Sequence, residues 1–78
     1  MPFASSPALP PTPHHDFRRH PVSGLQELVV TPQLQGWASE CAALLGHRAP
    51  IALRLLSEGR PVYREPWEWL LRYGLAWA

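Results

Sequence analysis

The sequence has no lysine, one cysteine, and no uninterrupted apolar run longer than Cys41–Leu45. Each of these shortages excludes something. With only Cys41 present there is no intrachain disulfide framework and no multi-cysteine zinc site, the two staples small domains commonly use. Seven arginines against six acidic residues leave a net charge of +1, too close to zero to hold a polyanion by charge alone. Nothing approaches the roughly 20 apolar residues that span a bilayer. Residues 1–13 lack the basic start and apolar stretch of a secretory signal because prolines interrupt them, so the expectation is a soluble, cytoplasmic chain.

Proline and tryptophan are abundant instead. Six of the ten prolines fall within residues 1–21. Proline fixes φ and lacks an N–H, so neither helix nor ladder propagates easily through this stretch, and residues 1–21 read as a disordered, proline-rich arm. Pro7-Ala-Leu-Pro10 and Pro10-Pro-Thr-Pro13 have the spacing that puts two prolines on one face of a polyproline II helix, although a flexible leader is the simpler reading.

Residues 22–78 read as one small compact domain. Chains of this length bury only about 60% of the surface their unfolded form exposes, so its core is thin. Thr31-Pro32 supplies an N-cap oxygen followed by a residue without an amide hydrogen, and Gly46 closes the segment, which predicts a helix over about 32–45. Its apolar face carries Leu34, Trp37, Ala38, Cys41, Leu44 and Leu45, with Gly36 weakening it. Upstream, Ser23–Val30 reads as a short helical turn followed by extended chain.

Ile51-Ala-Leu-Arg-Leu-Leu fits two periods. As a strand it would turn at Ser57-Glu-Gly-Arg60 and return through Pro61–Arg64 as a β-hairpin. As a helix it would end at Gly59 but start without an N-cap. The hairpin is the expectation. Glu65-Pro66 then restarts a helix over about 66–73, with Trp67, Leu70 and Leu71 on one face, Trp69 and Tyr73 displaced from it, and Glu68 spaced to pair with Arg72. The expected fold is therefore α+β: main helices at about 32–45 and 66–73 and a β-hairpin at about 51–64, preceded by a disordered arm. The alternative is an all-α three-helix arrangement.

Candidate chemistry is sparse. His14, His15, His20 and Asp16 cluster within seven residues, but a structural zinc needs four pre-positioned ligands, which a proline-rich arm does not supply. No metal, cofactor or small-molecule substrate is expected. Cys41 lies on an apolar helix face, where a thiol stays protonated and inert, and the carboxylates show no spacing that pairs two on one rigid surface. The chain is expected not to be an enzyme.

Three of the four tryptophans, Trp67, Trp69 and Trp77, lie in the last twelve residues beside Tyr73. A core this small cannot take them all, and Trp and Tyr dominate binding hot spots. The leading expectation is a non-catalytic protein-interaction module, an accessory subunit or an inhibitor that occupies a partner's surface. Trp69, Tyr73 and Trp77 would anchor it, with Arg64 and Arg72 at the rim, on a larger protein or a second copy in a dimer. The alternative is a dimeric DNA-binding regulator presenting Arg54, Arg60 and Arg64 on the hairpin.

Overall fold

The computed structural model describes residues 9–74 and has an α+β architecture. A short antiparallel hairpin, β1 (Phe17–Arg19) and β2 (Gln26–Leu28), precedes three helices: α1 (Pro32–Leu45), α2 (Ile51–Ser57) and α3 (Arg64–Trp69). A single 3₁₀ turn, Gly46–Arg48, follows α1, and α3 runs on into a wider π-helical turn, Leu70–Gly74.

α1 forms where its punctuation predicts. The Thr31 hydroxyl accepts the Leu34 N–H at 3.1 Å, Pro32 opens the helix, and Gly46 leaves it with φ at 59°. Its buried face is Leu34, Trp37, Ala38, Cys41 and Leu45, whereas Leu44, expected on that face, is exposed. α2 packs along α1, contributing Ala52, Leu53 and Leu56. Trp67 and Leu70 close the core from the C-terminal side, and Leu28 and Val62 from the hairpin side.

The hairpin is not where the sequence pattern placed it. Residues 51–57 are helical, as in the all-α alternative, and the strands lie at 17–28. Ala52, Leu53 and Leu56 share a helical stripe that is at most 5% exposed, while Ile51 and Arg54 face solvent. A strand would send Leu53 and Leu56 to opposite faces, and only the helix buries both on α1. That burial outweighs the missing cap, because helix stability in proteins comes mostly from packing an amphipathic face. Gly59 (φ 74°) ends α2 with both Schellman bonds: Arg60 N–H to Leu55 O at 2.8 Å and Gly59 N–H to Leu56 O at 3.0 Å. The Gln35 side-chain amide adds a bond to Ser57 O at 3.1 Å, locking α1 to that end of α2.

The real hairpin includes residues expected in the arm. Phe17 pairs with Leu28, Arg18 with Glu27 and Arg19 with Gln26. Its loop is closed by His20 N–H to Leu25 O at 2.8 Å and Gly24 N–H to His20 O at 2.9 Å, with Gly24 at φ 73°. The expected helical turn after Ser23 is thus a hairpin loop leading into β2. A further antiparallel bridge, Glu27 with Tyr63, and a bond from Leu28 N–H to Val62 O at 2.7 Å join the hairpin to the segment entering α3. Ahead of β1, Leu9 packs on the core and the Trp37 indole N–H donates to Pro10 O at 2.9 Å. Residues 9–21 are therefore laid onto the body.

Candidate functional site

α3 sorts its aromatic residues by helical position. Trp67 is fully buried, with its ring edge-on to Trp37 at 5.7 Å and to His15 at 5.5 Å between centroids. Two residues on, about 200° around the helix, Trp69 points away and is 62% exposed. Tyr73, in the π-helical turn, is 46% exposed and lies against Trp69 with ring centroids 4.9 Å apart. The Arg72 guanidinium carbon sits 6.0 Å from the centre of the Tyr73 ring, within cation–π range. Trp69, Arg72 and Tyr73 thus form one solvent-facing cluster. Trp77 lies outside the described residues.

Arg64 is placed differently from that cluster. Its Nε donates to Glu68 Oε1 at 2.7 Å, its Nη1 to Gln26 Oε1 at 3.0 Å, and its guanidinium lies 5.7 Å from the Phe17 ring centre. It therefore ties α3 to the hairpin. Glu68 pairs with Arg64 one turn back and not with Arg72, whose side chain goes to the tyrosine. A wide-mouthed groove of about 600 Å³ runs past Leu25, Gln26, Tyr63, Arg64 and Pro66.

The two-stranded arginine ribbon does not form. Arg54 is on α2 and donates to His47 O at 2.8 Å, Arg60 follows the Gly59 cap and pairs with Glu58 at 3.6 Å, and Arg64 opens α3. Interleaved carboxylates neutralise Arg60 and Arg64 locally. The strand pairing that was expected to align these three side chains is therefore absent.

The chemistry-bearing groups are dispersed as well. His14 contacts Asp16 at 3.1 Å, while the Nδ1 of His20 accepts the Val22 and Ser23 N–H groups in the hairpin loop. Among the described residues, no three His, Cys, Asp or Glu side chains are grouped to hold a metal ion. Cys41 is fully buried, and that burial, followed by the neighbouring Glu40 charge, pushes its thiol pKa above the ordinary 9.0, which suppresses the nucleophilic thiolate. Among the described residues, no helix is long and apolar enough to cross a membrane.

The sequence reading missed the pairing of Trp37 with the arm. The signal was available in the chemistry: a Trp on the apolar face of a helix carries an N–H that needs an acceptor, and a proline-rich stretch offers carbonyls with few competing donors. Comparison of the chain with family models, with curated proteins and with solved structures yields no match.

Proposed function

We propose that this chain is a small, non-catalytic protein-interaction module of the cytoplasm, acting as an accessory subunit or an inhibitor. On this reading it docks the Trp69–Tyr73 face onto a larger protein partner, with Arg72 beside it. The observation that carries this is the contrast within one helix: Trp67 fills the core, whereas Trp69 and Tyr73 lie tilted against each other on the solvent side. Exposed aromatic clusters on small proteins generally mark interaction surfaces, and Trp, Tyr and Arg are the residue types enriched at hot spots. A ring of roughly 250 Å² that is 62% exposed leaves about 150 Å² to bury, which at about 25 cal/mol per Å² is an upper bound near 4 kcal/mol from Trp69 alone. The non-catalytic part of the reading rests on the buried, protonated Cys41 and on Glu58 and Glu68, each paired with an arginine at the surface.

The test is capture of a partner by photo-crosslinking, followed by reconstitution of that protein in purified form. Trp69→Ala should weaken the reconstituted complex by about 30-fold or more, the effect of losing a hot spot of about 2 kcal/mol. A purified partner that binds Trp69→Ala and Tyr73→Ala as tightly as the unmodified chain would rule this surface out. Sedimentation equilibrium on the chain alone distinguishes the other occupant: a dimer abolished by Trp69→Ala would assign the face to a second copy.

A further inference from the structure

The stretch from Leu9 to Pro13 lies on the body as an extended proline-rich ligand would. The described residues contain no cis peptide bond, so Pro10, Pro11 and Pro13 are trans with φ held near the polyproline value. Each residue preceding a proline, namely Leu9, Pro10 and Thr12, is pushed away from helical backbone as well. The stretch has neither helix nor strand; Leu9, Pro10 and Pro13 are half-buried, while Pro11 and Thr12 are exposed. Pro10 and Pro13 are one turn of a polyproline II helix apart. The Trp37 indole N–H donates to Pro10 O at 2.9 Å across 27 residues of sequence, and the Trp37 ring itself is held edge-on against Trp67. An indole donor aimed at a proline-segment carbonyl suits recognition of a polyproline helix, because that helix satisfies none of its own carbonyls.

We infer that Trp37, backed by Trp67, forms a proline-reading site, whose resident ligand in the free chain is residues 9–13, held as a latch that a proline-rich segment of another protein displaces. The latch is lightly fastened. Among the described residues the Trp37 bond joins Pro10 to the body, the His15 ring, packed on Trp67, bonds Pro13 O at 3.1 Å through Nδ1, and Leu9 adds apolar contact. Its strength in the free chain comes from tethering. Only residues 14–16 separate it from β1, and so short a link gives an effective concentration on the order of millimolar. A segment supplied in trans therefore competes poorly with the intact chain and well once the latch is weakened. This surface is separate from the Trp69–Tyr73 face, and each can fail without the other.

Two measurements on the full-length chain test it, both read at the Trp37 indole N–H by ¹H–¹⁵N NMR. In the unmodified chain, hydrogen-exchange protection of that indole should be at least about tenfold lower than that of the Cys41 amide in α1, because a latch opens without unfolding the core. Equal protection would make the arm part of the global core and overturn the inference. In the full chain carrying Leu9→Ala and Pro11→Gly, a synthetic peptide of residues 9–16 should saturate at a concentration about tenfold or more below that needed for the unmodified chain, and should return the indole signal to its original position. The same peptide with alanine at the positions of Pro10 and Pro13 should not. A folded double variant that ignores the peptide, equal binding of the alanine peptide, or loss of folding in the double variant each overturns the proposal.

Discussion

Trp67 and Trp69 are two residues apart on one helix, and the structure requires opposite outcomes when each is truncated. Trp67 has no exposed surface and is packed against Trp37 and His15. Fully buried Trp-to-Ala changes cost about 3–5 kcal/mol, combining lost transfer energy with the cavity left behind. A domain this size holds a total stability of about 4–12 kcal/mol at 0.05–0.15 kcal/mol per residue, so Trp67→Ala removes from a quarter to all of it. At about 4–8 °C per kcal/mol, the melting temperature should fall by roughly 12–40 °C. Trp69 is 62% exposed, leaving about 100 Å² covered, worth about 2 kcal/mol at most. Part of that cover comes from its own helix and persists in compact unfolded chains, and alanine returns about 0.5 kcal/mol of helix propensity. The net cost of Trp69→Ala should therefore lie below about 1.5 kcal/mol. Urea unfolding followed by far-ultraviolet circular dichroism, which does not depend on the deleted fluorophore, measures both. Equal destabilisation by the two substitutions, or a loss below about 1 kcal/mol for Trp67→Ala, would refute the division into a core ring and a contact ring.

Two glycines should respond in opposite directions to alanine. Gly36 lies in the middle of α1 with open space where a Cβ would go, so Gly36→Ala should stabilise by about 0.5–1 kcal/mol in thermal melts. Gly59 has φ at 74°, and a Cβ there would meet the Gln35 amide nitrogen at 3.3 Å, so Gly59→Ala should destabilise by about 1 kcal/mol or more. Thr31→Ala, removing the hydroxyl that accepts the Leu34 N–H, should cost about 1 kcal/mol, and Thr31→Ser should restore most of it. The Cys41 thiol is raised in the folded state, so its contribution is fully present below the ordinary pKa of 9.0 and is lost as pH rises beyond it. Stability measured from pH 7 to 10.5 should fall above pH 9 in the native chain, and the part due to this thiol should be absent in Cys41→Ala.

The missed hairpin shows how the sequence can be locally ambiguous. Proline density from residue 1 to 21 argued against regular structure, yet the segment Phe17–Arg19 between Pro13 and Pro21 is free of proline and long enough to pair. Ser23-Gly24 was a turn signal, and it is Gly24, with positive φ, that lets the chain return. Gly59 misled in the opposite way. A glycine with positive φ serves a hairpin turn and a helix C-cap equally, so the residue that ended the segment could not say which kind of segment it ended.

By itself, the sequence determined what short-range chemistry dictates. Thr31-Pro32 and Gly46 bounded α1, the i, i+3, i+4 spacing placed Trp37 and Cys41 on its inner face, and Trp69 was displaced from the face that Trp67 shares with Leu70 and Leu71 on the last helix. The Trp-rich end was likewise visible as a candidate contact surface. Only the tertiary structure decided that residues 51–57 are helical, because the deciding contribution is burial of Leu53 and Leu56 against α1, a partner the local pattern does not contain. The docking of the arm was also a tertiary outcome: the bond between Trp37 and Pro10 spans 27 residues, and neither end specifies the other until packing against Trp67 sets the Trp37 indole in place.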